Sequence, residues 1–294
     1  MPAFERTKAF EAAKAVRDPP MRGIPVASLG RDEMTEDTHS TAPVLRQEPA
    51  IRRIGRSDLV DALSAGLRDF QAYPAFGLFF GGVYALGGVA ILACALLWDL
   101  LYLVYPLAAG FVLIGPFVAV GLYEVSRLRE KGEVPSWPGV FKAMWAQGGK
   151  EISWMAFVTV FIFIIWMYQV RLLIALFFGL HGMPAGGFPA VLFTTPEGLA
   201  FLAVGHMVGA VLAIVTFSLT VVSFPLLLDR EVDFITAMIA SVRAVVSNPV
   251  TMLGWALCVV LLLFVAALPA FLGLVVALPI LGHTTWHLYR KLVA

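Results

Sequence analysis

Charged residues are scarce in this chain. Only 14% of its 294 residues are charged, whereas 60% are hydrophobic, and the mean hydropathy is +0.85. A soluble domain carries roughly 25% charged residues, so this chain lacks the polar surface that a water-soluble fold needs. The composition therefore predicts a membrane protein whose main partner is the lipid bilayer. The formal net charge of +1 gives no indication of nucleic-acid binding.

Cysteines and catalytic motifs are also few. The two cysteines, Cys94 and Cys258, lie in separate apolar runs, which excludes a disulfide framework and a CxxC redox or zinc pair. No P-loop, GxSxG, HExxH or dinucleotide-binding glycine motif stands in a suitable context. No predicted span carries an acidic residue at its centre. We therefore expect no enzymatic activity, no cofactor, no metal and no carboxylate relay for ions.

A secretory signal is missing from the first 55 residues, which have no apolar segment of the needed length. These residues contain Pro19-Pro20, scattered charges and few aromatic side chains. Such a composition predicts a disordered cytoplasmic arm over 1–55. A short helix over Ala3–Val16 and an ordered segment at 49–55 are alternatives within it.

Long apolar runs are abundant instead. About 20 apolar residues are needed to cross a bilayer as a helix. Tight turns are expected at Trp98-Asp99 and at Pro269. The predicted fold over 56–294 is an all-α membrane protein, a six-span bundle of three hairpins. The six predicted spans are Ala75–Leu97, Leu100–Leu122, Ile152–Val170, Leu199–Val222, Val250–Leu268 and Ala270–Trp286.

The distribution of basic residues predicts the orientation. All but one of the 21 Lys and Arg residues fall on one side of the six spans, Arg171 being the exception. Because cytoplasmic segments are enriched in Lys and Arg, we predict a bacterial inner-membrane protein with both termini cytoplasmic. The segment 171–198 is apolar but broken by Gly and Pro. It forms either an interfacial loop, which we favour, or a re-entrant turn.

A thirteen-residue phrase occurs near the start and again near the end of the chain. Residues 62–74 read ALSAGLRDFQAYP and residues 237–249 read AMIASVRAVVSNP, and a weaker copy, AMWAQGGKEISWM, occupies 143–155. Apolar residues recur at helical spacing, namely Leu63, Leu67 and Phe70 in the first copy and Met238, Val242 and Val245 in the last.

Each copy predicts a cytoplasmic amphipathic helix at the membrane interface, followed by a two-span hairpin. A proline after the phrase would end that helix. We predict a threefold repeat over about 57–123, 138–228 and 231–290. Chance similarity among Ala-rich helices is the alternative.

Histidines supply the first candidate sites. His206 lies in the middle of a span, between Gly205 and Gly209, and a polar residue at that depth is a functional candidate. The favoured alternative is that the GxxxG spacing packs a neighbouring helix, to which His206 donates a hydrogen bond. His283 and His287 share one helix face at a spacing that suits two metal ligands, but no third ligand is evident. With Trp286 and Tyr289 they are predicted to be interface anchors.

Charged residues at span ends are the second set of candidates. We interpret them as residues of a cytoplasmic mouth, where the commoner role is to set topology and the alternative is to gate a pathway. The set comprises Asp229, Arg230, Glu231, Arg243, Glu124 and Arg127. Several glycines in the first span, including the GLFFG at 77–81, predict close helix packing.

Four segments carry a family resemblance. GLFFGGVYALGG, GFVLIGPFVAVGLYEVSRLRE, FPLLLDRE and PAFLGLVVALPILGHTTWHLYRKLV occur in this order. Together they resemble, over about 50–294, a family of uncharacterised proteobacterial integral membrane proteins known by a domain-of-unknown-function label. The resemblance implies a polytopic inner-membrane protein without an assigned activity.

Some members of such families carry a cytochrome c oxidase subunit I label. The sequence does not support that label, because an oxidase subunit needs a set of intramembrane histidine ligands for haem and copper. Only His206 lies clearly within a span.

Two functions from different classes remain. The first is a non-catalytic accessory protein that binds lipid or a membrane complex, a respiratory complex among them. The second is a transporter or flippase for a small apolar or lipid-like substrate, supported by the repeat and by Pro116, Pro225 and Pro279 in the second spans. A large internal cavity reaching His206 would favour transport. A closed bundle with an exposed glycine-rich face would favour a partner.

Overall fold

The computed structural model describes residues 49–97, 101–147, 151–179 and 188–294. These belong to one compact unit, Arg46–Ala294, whereas the unit Met1–Leu45 lies outside the described residues, as do the predicted helix over Ala3–Val16 and the turn at Trp98-Asp99. The described chain is helical, which confirms the all-α class. Its helices are α1 (Arg56–Ala72), α2 (Pro74–Leu97), α3 (Leu101–Glu130), α4 (Trp137–Gln147), α5 (Glu151–Phe178), α6 (Phe188–Thr194), α7 (Pro196–Thr220), α8 (Ser223–Asp229), α9 (Phe234–Ser247), α10 (Pro249–Ala267) and α11 (Leu274–Leu292).

Four helical stretches are long and apolar enough to cross a membrane, and one of them combines α7 and α8. They are Pro74–Cys94, Glu151–Phe178, Pro196–Asp229 and Pro249–Ala267. These correspond to the first, third, fourth and fifth predicted spans. The second predicted span falls on α3, where the side chains of 101–109 and 112 lie outside the described part of the chain.

The sixth predicted span needs correction. Helix α11 begins at Leu274, not Ala270, because the chain turns over 268–273 with positive φ angles at Ala270 (50°) and Phe271 (65°). A Cβ atom at Gly273 would lie 2.6 Å from the carbonyl oxygen of Ala266, so this turn needs glycine at that position. Helix α11 is not one of the four candidate spans, since its second half carries two histidines, an arginine and a lysine.

Two helices of the described chain lead directly into a long apolar helix. Helix α1 leads into α2, and α9 leads into α10. The breaks after α1 and α9 have the same backbone conformation, with φ −131° and ψ 59° at Tyr73 and φ −132° and ψ 50° at Asn248. In both places a proline begins the next helix, as the phrase predicts.

The prediction that the middle copy of the phrase lies on one short helix is wrong. Residues 143–155 begin in the second half of α4 and extend into α5, which starts at Glu151. The other two copies each lie on one short helix and end at the proline that begins the next long helix. The middle phrase lacks that proline, so nothing ends a helix at its thirteenth residue.

The buried and exposed sides of α1 and α9 agree at several positions of the phrase. Ala62 and Ala237, which are equivalent in the phrase, are both fully buried. Arg68 and Arg243, also equivalent, are both exposed. The buried side of α1 consists of Ala62, Gly66 and Asp69, so small residues make the contact. Leu63 and Leu67 stay partly exposed instead.

Residues 49–55 are held by hydrogen bonds to the rest of the chain, as the alternative of an ordered segment there expects, and the predicted arm before residue 49 lies outside the described residues. Ile51 pairs with Val293 in an isolated antiparallel bridge. The amide of Arg52 donates to the Leu292 carbonyl at 2.8 Å, and that of Ala294 donates to the Ala50 carbonyl at 3.0 Å. The two ends of the described chain therefore lie side by side.

Helix α11 packs against α1 and α2 through glycines. A Cβ atom at Gly66 would lie 2.6 Å from the Thr284 backbone nitrogen, and one at Gly81 would lie 2.5 Å from the Val275 carbonyl oxygen. Backbones at these crossings are nearly in contact, which only glycine permits. The close packing predicted for GLFFG is thus seen within the chain.

The segment 171–198 is partly helical. Helix α5 continues to Phe178, so the predicted third span extends beyond Val170, and Arg171 lies on α5 rather than in a loop. Residues 180–187 lie outside the described part, so whether the segment is re-entrant or interfacial stays a prediction. The seven residues of α6 pack tightly on the start of α7, where a Cβ at Gly198 would lie 2.7 Å from the Leu192 Cα.

Candidate functional site

A carboxylate is buried between α1, α3 and α11. Asp69 is 1% exposed and accepts hydrogen bonds from Ser126 Oγ at 2.6 Å, from His287 Nε2 at 2.7 Å, and from the guanidinium of Arg129. Asp69 stands where the last copy of the phrase has Ala244, which is also buried. The first copy of the phrase therefore has a charged residue where the last copy has a small packing residue. We call Asp69, Ser126, Arg129, His283 and His287 the carboxylate network.

The hydrogen-bond pattern fixes the protonation of His283. Its Nδ1 lies 2.8 Å from Ser126 Oγ, and the Ser126 hydroxyl proton is donated to Asp69. A hydroxyl has only one proton to donate, so His283 Nδ1 carries hydrogen and donates to Ser126. The His283 side chain is fully buried, and its Nε2 has no hydrogen-bond partner in the part of the chain that the structure describes.

The network keeps Asp69 ionised. Burial alone would raise the pKa of Asp69, but the hydrogen bonds from His287 and Ser126, the charge of His287 and the hydrogen bond from Arg129 outweigh burial and lower the pKa from 3.8 to about 2. A buried ion pair with several hydrogen bonds is costly to break from one side. The network therefore joins α1 to α3 and α11 rather than presenting a free reactive group.

A second cluster closes the same end of α11. Asp229 Oδ2 accepts from the Tyr289 hydroxyl at 2.7 Å and from Arg290 Nη1 at 3.1 Å. Glu130 accepts from Arg290 Nε at 3.0 Å and from Trp286 Nε1 at 3.2 Å. These bonds tie the ends of α3 and α8 to the end of α11.

The predicted mouth residues lie in several places. Asp229 belongs to the second cluster, whereas Glu124 pairs with Arg127 on its own helix at 2.7 Å. The pKa of Arg127 is raised, chiefly by the hydrogen bond to Glu124 and in part by the charge of Asp229. Arg230 donates to the Ala294 carbonyl at 2.6 Å.

The other two mouth residues are Glu231, which is exposed, and Arg243. Arg243 lines a small hollow with Pro49, Thr236 and Ile239. Asp229 and Arg230 connect helix ends or the end of the chain, and whether these residues gate a pathway stays a prediction.

The predicted interface anchors are wrong for three of four residues. His283, Trp286 and Tyr289 are buried in the protein, so they do not face lipid headgroups, and His287 points at Asp69. Helical spacing placed these residues on one face, but a neighbouring helix covers that face.

Helix α4 carries three of the exposed aromatic residues. Trp137 and Phe141 are partly exposed and Trp145 is 84% exposed. Their spacing of four residues, visible in SWPGVFKAMW, was the signal that sequence reasoning missed.

His206 lies apart from both clusters. Its side chain is exposed, and its Nδ1 lies 2.7 Å from the Leu202 carbonyl oxygen of its own helix. A Cβ at Gly209 would meet Trp166 of α5 at 3.1 Å. The GxxxG motif therefore packs α7 on α5, but the expected hydrogen bond from His206 across that contact is not the one seen. An open, mostly apolar cleft of about 260 Å³ lies on α5 and α7, lined by Gln169, Met207 and neighbouring aliphatic residues, and His206 is not among its lining residues.

Metal binding has no support in the described ranges, where no three His, Cys, Asp or Glu residues are grouped to hold an ion. His283 and His287 share a face, as predicted. However, one is bonded to Ser126 and the other to Asp69.

Comparison with known proteins gives one match. A family model described as "Predicted integral membrane protein (DUF2189)" matches residues 104–229, from α3 to the end of α8. This protein is an integral membrane protein. The match supports the resemblance to an uncharacterised membrane family. No curated protein and no solved structure matches the chain.

Proposed function

We propose that this protein is a non-catalytic accessory protein of a bacterial inner membrane that binds membrane lipid. It crosses the membrane six times as three hairpins, with both termini cytoplasmic. The observation that carries the proposal is the exposed apolar flank of the short helices. Binding to a protein complex, such as a respiratory complex, is the other form of the same accessory role.

Helix ends gather at one end of the bundle, which supports the topology. Glu151, at the start of α5, accepts a hydrogen bond from the Phe234 amide at the start of α9, at 2.8 Å. Glu130, at the end of α3, pairs with Arg290 near the end of α11, and Arg290 also reaches Asp229 at the end of α8. Long helices that alternately start and end at one level are expected of three hairpins.

Helix α1 has three sides with different surroundings. One side of α1 packs on α11. A second side is apolar and exposed, with Val60 61% exposed and Leu63 and Leu67 less so, and a third side carries Asp61 and Arg68.

Helix α9 repeats this arrangement, with Ile235 at the position of Val60 and 53% exposed. Apolar area in contact with water costs about 25 cal/mol per Å². A helix with this pattern is stable where lipid covers its apolar flank.

The glycine-rich face does not favour a protein partner. Gly81 and Gly88 pack on residues of α11 and of the turn before it, and Gly77 packs on Phe70 and Pro279. A partner that needs this face would have to displace α11. The lipid form of the proposal is therefore the one that the geometry favours.

The test is native mass spectrometry of the protein released from nanodiscs. Leu63→Gln combined with Leu67→Gln should weaken the binding of lipid at α1 by about thirtyfold, since the two leucines together lose apolar transfer energy of about 2 kcal/mol. The matched control is Ser64→Gln, an exposed polar position on the same helix. Unchanged lipid retention in the double variant would contradict the proposal. Respiratory subunits recovered in stoichiometric amounts from native membranes would replace lipid with a protein partner.

A transporter or flippase is the second candidate, and the cleft lined by Gln169 and Met207 favours it. The cleft opens on the outside of α5 and α7, and Gln169 gives it one polar side chain. A lipid-like substrate would move along this outer surface rather than through the bundle. Proteoliposomes that translocate a fluorescent lipid, and lose this activity on His206→Ala, would establish transport. If proteoliposomes that contain the protein do not translocate the fluorescent lipid, transport of lipid is excluded.

A further inference from the structure

We propose that Arg52, Arg53 and Arg56 form a binding site for the phosphate groups of anionic phospholipids. We call residues 51–56 the arginine segment. The inference rests on the proposed lipid-binding function, since it names the class of lipid and the place where it binds.

The arginine segment is held rigidly by its backbone. The Ile54 amide donates to Asn248 Oδ1 at 2.8 Å, and Asn248 Nδ2 donates to the Arg52 carbonyl at 3.1 Å. On its other side, the Arg52 amide donates to the Leu292 carbonyl at 2.8 Å. Because the backbone is fixed by bonds to α10, α9 and α11, binding a ligand there requires ordering of side chains only.

A further hydrogen bond sets the depth of the arginine segment in the membrane. Thr251, in the first turn of the candidate span Pro249–Ala267, donates its hydroxyl to the Ile54 carbonyl at 3.2 Å. The neighbouring Val250 is 72% exposed and apolar. Residues at the first turn of a span lie where the apolar core of a bilayer meets the headgroups. The arginine segment therefore lies at the level of the lipid phosphates.

The three guanidinium groups are available for a ligand. Arg52, Arg53 and Arg56 are exposed, and they make no side-chain hydrogen bond or ion pair with any described residue. The carboxylates of Asp58 and Asp61, which follow on α1, are paired with Lys291 at 3.1 and 3.2 Å. Arginine binds phosphate through a planar fork of donors, so the chemistry that fits is a phosphate monoanion or diester.

A bilayer lipid fits better than a free anion. The apolar side chains of Val250 and Val246 are exposed near the arginine segment, at and just before the start of α10. A soluble phosphate offers nothing to cover them, whereas the acyl chains of a phospholipid do. Each Lys or Arg side chain close to a surface of anionic lipids strengthens binding to that surface by about fivefold.

The experiment compares lipid enrichment in nanodiscs of phosphatidylcholine with and without phosphatidylglycerol. Native mass spectrometry of the full chain gives the ratio of the two lipids retained. The wild type should enrich phosphatidylglycerol. A triple variant with Arg52→Gln, Arg53→Gln and Arg56→Gln should lose this enrichment. A triple variant in which the same three arginines are replaced by lysine should keep most of it. Arg171→Gln, exposed on α5, is the matched control and should enrich like the wild type.

Salt dependence of the wild type provides a measurement without any substitution. Enrichment should fall as the ionic strength rises from 0.05 to 0.5 M, because the groups are exposed and screened within about 10 Å at 0.1 M. Enrichment that is insensitive both to salt and to the glutamine substitutions would overturn the inference. Loss of enrichment on adding inorganic phosphate, at an ionic strength where sodium chloride leaves it unchanged, would assign the site to free anions and overturn the inference too.

The two proposals fail differently. A wild type that retains lipid without preferring phosphatidylglycerol would overturn the arginine site and leave lipid binding intact. A wild type that retains neither lipid would overturn both.

Discussion

A Cβ atom on Gly66 would lie 2.6 Å from the Thr284 backbone nitrogen. Helices α1 and α11 therefore cross with their backbones almost in contact. Asp69 lies three residues after Gly66, and this crossing brings its carboxylate to Ser126 and His287. The close approach and the carboxylate network depend on one another.

Gly66→Ala should destabilise the protein by about 1–3 kcal/mol, because the added methyl group forces the two backbones apart. We expect a lower Tm in detergent, measured by cysteine-independent differential scanning fluorimetry. Gly82→Ala is the control, since nothing lies within 4 Å of a Cβ at that glycine. Equal Tm values for the two variants would show that the crossing is looser than described.

Asp69→Asn should cost about 3 kcal/mol, because it leaves Arg129 and His287 without the buried charge that they bind. The control is Asp61→Asn, whose partner Lys291 is also bound by Asp58. Exposed ion pairs contribute about 0–1 kcal/mol, so this variant should unfold close to the wild type. If the two asparagine variants were equally stable, the carboxylate network would not be holding α1 in place.

The contribution of Asp69 should depend on pH in a defined window. The pKa of Asp69 is lowered in the folded protein from 3.8 to about 2, so folding favours the ionised form. The stabilisation is fully present above pH 3.8 and is lost as the pH falls from there through about 2. The stability difference between wild type and Asp69→Asn should be constant from pH 7 to 5 and shrink below pH 4. A difference that already shrinks between pH 7 and 5 would contradict the assignment of this stabilisation to the ionised Asp69 carboxylate.

Labelling of single cysteines should show both termini on the cytoplasmic side. In a background with Cys94→Ser and Cys258→Ser, Arg53→Cys and Glu231→Cys should react with an impermeant maleimide only in inside-out vesicles. Glu197→Cys, at the start of α7, should react only in right-side-out vesicles or intact spheroplasts. Reaction of Arg53→Cys and Glu231→Cys on opposite sides would contradict the three-hairpin topology.

Local features of this fold were readable from the sequence. The breaks at Tyr73-Pro74 and Asn248-Pro249 were predicted because proline acts on the residue before it, whatever the rest of the chain does. The turn near Pro269 and the four long apolar helices were predictable for the same reason, since hydropathy and proline are properties of neighbouring residues. The middle copy of the phrase lacked its proline, and its register was wrong.

Contacts between distant residues were decided only by the tertiary structure. Ser126 lies 57 residues from Asp69 and 157 from His283, yet it bonds to both. Helical spacing shows which residues share a face, but it does not show which helix covers that face. Trp286 and Tyr289 were therefore mistaken for interface anchors, while Trp145 was overlooked. The sequence by itself determined the long apolar helices and the breaks at Pro74 and Pro249, because hydropathy and proline act on neighbouring residues, whereas the packing of α11 against glycines decided which side chains were buried.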